Sequence, residues 1–101
     1  MCKIAVLFDD PTSPGIIRIA LKGHDAKFFQ TDAKGVAEKI SSMNPLPIVA
    51  LDATDPKKSQ RVLNRLPPGI KTMYVGGKTR QQEQMENIPW KAGWKEVANQ
   101  L

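Results

Sequence analysis

Short apolar runs alternate with amphipathic stretches along this chain. The first run, Lys3–Phe8 (KIAVLF), is rich in strand formers and stops at Asp9-Asp10-Pro11. Ser13-Pro14 then predicts an N-cap and first-turn proline, with Ile16, Ile17, Ala20 and Leu21 on the helix's inner face and Gly23 as its stop. Ala26–Phe29 predicts a second strand. Thr31/Asp32 is expected to cap a helix whose Val36, Ile40 and Met43 recur at helical spacing, and Asn44-Pro45 ends it. The continuous run around Ile48–Leu51 predicts a third strand covered on both faces. Asp55-Pro56 opens a third helix with Val62, Leu63 and Leu66 inward, closed by Pro67-Pro68-Gly69. Thr72–Val75 predicts a fourth strand, followed by Gly76-Gly77. Thr79–Asn87 has a helical composition but only Met85 to bury. Ile88–Trp90 predicts a fifth strand, and Trp94–Leu101 a last helix with Val97, Ala98 and Leu101 inward.

Strand–helix alternation of this kind predicts parallel strands joined by crossover helices. The expected fold is therefore α/β, a three-layer sandwich of four or five parallel strands with helices on both faces, in one domain over residues 1–101. Right-handed crossovers bring functional groups to the carboxyl ends of the strands. Asp9 and Asp10 stand after the first strand, Asp52 and then Thr54 after the third, Gly76 and Gly77 after the fourth, and Lys91 after the fifth.

Composition narrows the chemistry. The chain has 101 residues, enough for one core. No apolar run approaches the roughly 20 residues of a membrane span, so no membrane partner is expected. The opening Met-Cys-Lys-Ile lacks a signal peptide's character, and a cytoplasmic location is expected. Cys2 is the single cysteine and His24 the single histidine, so an internal disulfide and a Cys- or His-based metal site are not expected.

That leaves the carboxylates. Three of them converging on one sheet edge would repel one another unless a cation held them, and Mg²⁺ suits oxygen ligands of this kind. A carboxylate facing such an ion is a candidate nucleophile toward a phosphoryl group, with a lysine as counter-charge. The same acids are equally what a solvated turn and helix caps require, and both readings stand at this point.

The acidic pair closing the first strand (FDD, Asp9 and Asp10), with a later strand ending in Asp and a proline four residues on (ALDATDP, Asp52 to Pro56), resembles the response-regulator receiver domain of two-component signalling. Gly23–Ile40 (GHDAKFFQTDAKGVAEKI) is similar to that family's second strand and second helix, and Ile88–Val97 (IPWKAGWKEV) to its fifth strand and last helix. The resemblance implies a flavodoxin-like sheet of order 2-1-3-4-5, with Asp52 as phosphoryl acceptor. It implies Asp9, Asp10, Asp52 and the Thr54 carbonyl as Mg²⁺ ligands, and Lys91 as the phosphate-contacting lysine. It further implies a stand-alone signalling domain that acts through protein–protein contacts, with a histidine kinase or a downstream effector as partner, and not an enzyme in the turnover sense. Gly76 or Gly77 stands where the family has Ser or Thr, so a degenerate receiver that keeps the fold without regulated phosphorylation also matches the residues.

Charge supplies an alternative. The net charge is +5, and residues 56–80 hold seven bases (Lys57, Lys58, Arg61, Arg65, Lys71, Lys78, Arg80) and no acid. Lys57, Arg61 and Arg65 share one helix face with Lys58 beside them, and Gly76-Gly77-Lys78 follows a strand as anion-cradling loops do. A small basic adaptor for nucleic acid or another polyanion would use these residues, in competition with the plain reading of a solvated helix face. A metal-dependent phosphoesterase built on Asp9, Asp10 and Asp52 is a third reading. Trp90 and Trp94, beside Lys91 and Lys95, predict either the edge of a small core or a partner surface.

Overall fold

The computed structural model describes residues 3–52, 56–75, 90–91 and 93–101. Its elements are β1 (Lys3–Phe8), α1 (Ser13–Ala20), β2 (Asp25–Gln30), α2 (Val36–Ser41), β3 (Ile48–Asp52), α3 (Pro56–Leu63), β4 (Thr72–Val75), β5 (Trp90–Lys91) and α4 (Trp94–Gln100). The strands form one sheet in the order β2-β1-β3-β4-β5, every neighbouring pair parallel. The fold is thus an α/β arrangement around a small parallel sheet, and β3 lies at its centre.

Alternation along the strands builds two cores. Ala5, Leu7, Val49, Leu51 and Tyr74 point to one face and pack with Val36, Ala37 and Ile40 of α2 and with Val62 and Leu66 of the α3 region. Ile4, Val6, Ala50, Met73 and Val75 point to the other and pack with Ile17, Leu21 and Val97. Each central strand therefore lacks a polar face, as parallel strands with helices on both sides require. The Arg18 guanidinium lies 4.9 Å from the centroid of the Phe28 ring and covers the outer strand β2.

Three local expectations are corrected. Thr12, not Ser13, is the N-cap of α1, because the Ser13 N–H already donates to the Asp10 carbonyl at 3.0 Å and closes the turn one residue earlier. Ile16 is not on the inner face: it is 71% exposed, whereas Ile17 and Leu21, one turn apart, are buried. An eight-residue helix presents only one narrow stripe to the sheet, and the four-residue spacing of Ile17 and Leu21 defines it.

Nor do Thr31 and Asp32 cap α2. The chain makes an extra turn after β2, with Ala33 N–H donating to Gln30 O and Val36 N–H to Ala33 O, and Gly35 starts the helix at φ 73°. An added Cβ at Gly35 would meet nothing closer than Glu38 Oε2 at 3.9 Å, so the demand for glycine is conformational. Gly35→Ala should cost about 1–2 kcal/mol, the penalty of a left-handed non-glycine residue. Urea unfolding would measure it, and an unchanged midpoint would show that the turn relaxes freely.

Of the fifth strand expected over Ile88–Trp90, Trp90 is in β5, which continues to Lys91. The predicted helix over 79–87, Ile88 and Met85 lie outside the described residues, as does Cys2.

Candidate functional site

Parallel pairing fixes what meets at the carboxyl edge. Phe8, the last residue of β1, is level with Asp52, the last of β3, so Asp9 and Asp10 leave the sheet beside the Asp52 carboxyl. Ala50 packs toward α1 and α4, and strand alternation puts Asp52 on that same face. The side chains that reach it come from the first turns of those helices: the Ser13 hydroxyl and the Trp94 indole N–H both hydrogen-bond the Asp52 carboxylate.

Asp52 is half-buried, and its pKa is raised above the usual carboxylate value of 3.8. Desolvation is the main cause. Repulsion from Asp10 and then Asp9 adds to it, against the lowering effect of the Ser13 and Trp94 bonds. The three acids singled out in the sequence therefore share one electrostatic field. Asp10 is exposed, and its Oδ1 accepts from Thr12 N–H at 2.9 Å and from the Thr12 hydroxyl at 2.8 Å, which lowers its pKa. Asp10 is thus at once a turn-forming residue and a neighbour of Asp52.

Asp9 looks both ways. Its charge also reaches Tyr74, a buried residue in the core on the α2 and α3 side, whose hydroxyl hydrogen-bonds Ser59, itself fully buried in α3. Burial chiefly, and Asp9 in addition, raise the Tyr74 pKa, while the Ser59 bond lowers it.

The donors fit a hard cation in chemistry and charge: all are carboxylate oxygens, and the half-buried member carries uncompensated repulsion. Among the described residues no three His, Cys, Asp or Glu side chains form a group able to hold a metal ion. An ion here would be held by one or two of these carboxylates and complete its shell with water, as magnesium commonly does.

Of the other residues expected at this edge, Lys91 ends β5 with its backbone level with Val75. Thr54, Gly76, Gly77 and Lys78 lie outside the described residues. Ser13, Trp94, Tyr74 and Ser59 were not assigned to the site from sequence. Ser13 could have been found from its place in the first turn after an acidic strand end. Trp94 resolves toward the core-edge alternative: it is half-buried and packs against the α1 and α4 core.

The basic face of α3 has an unexpected counterpart. Lys58 Nζ lies 3.9 Å from Asp32 Oδ2, and Arg65 Nη2 lies 3.7 Å from Glu38 Oε1. The acids that offset the stripe come from α2 and the turn before it, far off in sequence but adjacent in the fold. Both pairs are solvent-exposed, and such pairs contribute about 0–1 kcal/mol.

Comparison of the chain with protein-family models, with curated proteins and with solved structures finds no match. Among the described residues no helix is long and apolar enough to cross a membrane.

Proposed function

We propose that the chain is a receiver-like signalling domain of flavodoxin-like topology that works through protein–protein contacts and takes a phosphoryl group on Asp52. The observation that carries this reading is the position of Asp52: the end of the central strand, half-buried, under the combined field of Asp9 and Asp10. A carboxylate so placed gains from any change that removes or screens its neighbours' charge.

In the transfer, an Asp52 carboxylate oxygen attacks phosphorus, the bond to the donor breaks, and its electron pair leaves with the donor. The product is an acyl phosphate, and the donor is a partner histidine kinase. Ser13 and Trp94 orient the carboxyl through their hydrogen bonds. Asp52 and one of the two acids Asp9 and Asp10 would hold Mg²⁺, with water completing its shell, and the bound ion would supply charge neutralisation for the transferring oxygens. Lys91 is proposed as the counter-charge on the phosphoryl group.

The alternative, a nucleic-acid surface along Lys57, Lys58, Arg61 and Arg65, draws less support. A nucleic-acid backbone needs an unbroken row of cations, and Asp32 and Glu38 interrupt the row at two of these four, which leaves space for a single anionic group and not for a chain of them.

Beryllofluoride with Mg²⁺, which mimics a phosphoryl group on aspartate, tests the proposal. Amide resonances around Asp52, Ser13 and Trp94 should shift in the native chain and stay silent in Asp52→Asn. Equal shifts in the two proteins, or none in either, would rule the acceptor role out.

A further inference from the structure

A second recess lies on the other side of the sheet, between the turn that follows β2 and α3, with a volume of about 240 Å³. One wall carries Lys58 and Arg61 of α3, three residues apart on one helix face, and Arg65 from the turn that follows the helix. Its opposite wall carries Asp32 and Glu38, and Val36 and Val62 give it an aliphatic floor. Thr31 also lines it. This residue is 4% exposed, and its buried Oγ1 has no hydrogen-bond partner among the described residues. Buried hydroxyls are normally satisfied, and this unpaired one stands beneath the wall of a polar recess.

We infer that this recess binds a small phosphorylated molecule by its phosphate group. Arg61 is the anchor. It sits between two cations engaged by carboxylates, yet no ion pair to Arg61 occurs among the described residues. A guanidinium matches phosphate oxygens two at a time. The flanking pairs, at 3.9 and 3.7 Å, exceed hydrogen-bond length, so Lys58 and Arg65 can turn to an incoming anion without losing a tight bond. The Thr31 hydroxyl, covered and unpartnered among the described residues, would turn toward the bound anion. Asp32 and Glu38 would repel a bare dianion but accept hydrogen bonds from hydroxyls on its organic part. The volume is below that of drug-sized pockets and suits a phosphate with a few carbons attached. The inference does not depend on Asp52, which faces the opposite core.

Titration of the full chain with ribose 5-phosphate, inorganic phosphate and ribose, followed by amide NMR, tests it. Saturable shifts should map to Thr31–Glu38 and Lys58–Arg65, with ribose at least about tenfold weaker because it lacks the charged group. Arg61→Gln, at an exposed position, should weaken binding about tenfold, the loss of a charge-assisted bond. Thr31→Val, which keeps the shape, should weaken it by a smaller factor. A preference for ribose 5-phosphate assigns the recess to an organic phosphate, and equal affinity for inorganic phosphate assigns it to the free anion; both uphold phosphate recognition. Absence of saturable binding by either, shifts that persist unchanged in Arg61→Gln, or response only to a single-stranded oligonucleotide would overturn it.

Discussion

Leu51→Ala should lower the unfolding free energy by about 2–5 kcal/mol, the range for removing a leucine from a packed core. Leu51 has no exposed surface, and in the central strand it is level with Leu7 on one side and Tyr74 on the other. Truncation removes its apolar contacts and opens a cavity against α2 and α3 that the paired strands can close only in part. Against a total of about 5–15 kcal/mol for a domain of ordinary stability, this is the largest single-residue effect expected here. Urea denaturation with an unchanged slope and a lower midpoint would report it. A loss within about 0.5 kcal/mol, the size of an ordinary surface substitution, would mean that β3 is not the centre of the core.

Asp52→Asn should act in the opposite direction and should do so only where Asp52 is charged. Because the folded-state pKa of Asp52 is raised, the folded protein holds this proton more tightly than the unfolded chain does. Its favourable contribution is fully present below the unfolded value of 3.8 and is lost as pH rises through the folded value. Above that window the ionised carboxyl, partly desolvated and facing Asp9 and Asp10, works against folding. Asp52→Asn should therefore be more thermostable than the native chain at neutral pH. The gap should shrink on acidification and vanish below 3.8. Thermal unfolding of both proteins across this range checks the sign. A native chain that is the more stable of the two at neutral pH would show that the Ser13 and Trp94 bonds outweigh the repulsion. Asp10 has the reverse shift, but it is fully exposed and adds little.

The parallel architecture was legible because strand and helix periods alternate cleanly and because β3 is apolar on both faces. Thr72–Val75 was placed to the residue. Element edges failed where turn geometry competes with side-chain capping. Thr31 and Asp32 look like a cap, yet the chain spends two more residues, Ala33 and Lys34, turning before Gly35 supplies the left-handed conformation. Ile16 failed for a different reason: four apolar residues in one short helix cannot all face the sheet, and spacing alone does not say which are left out.

The acids Asp9, Asp10 and Asp52 could be grouped from sequence because a parallel sheet collects strand ends on one edge. Their partners could not. Ser13 and Trp94 reach Asp52 from helices that cover one face, a relation set by tertiary packing. The pairing of Lys58 and Arg65 with Asp32 and Glu38 was hidden for the same reason: a basic window in the chain became a mixed-charge recess once α2 packed beside it.

The most direct measurement is the NMR titration of the Asp52 side-chain carboxyl in the native chain and in Asp9→Asn and Asp10→Asn. A shared acidic centre predicts a native midpoint above 3.8 that falls in each variant, more in Asp10→Asn than in Asp9→Asn. A midpoint at or below 3.8, or one that neither substitution moves, would contradict it.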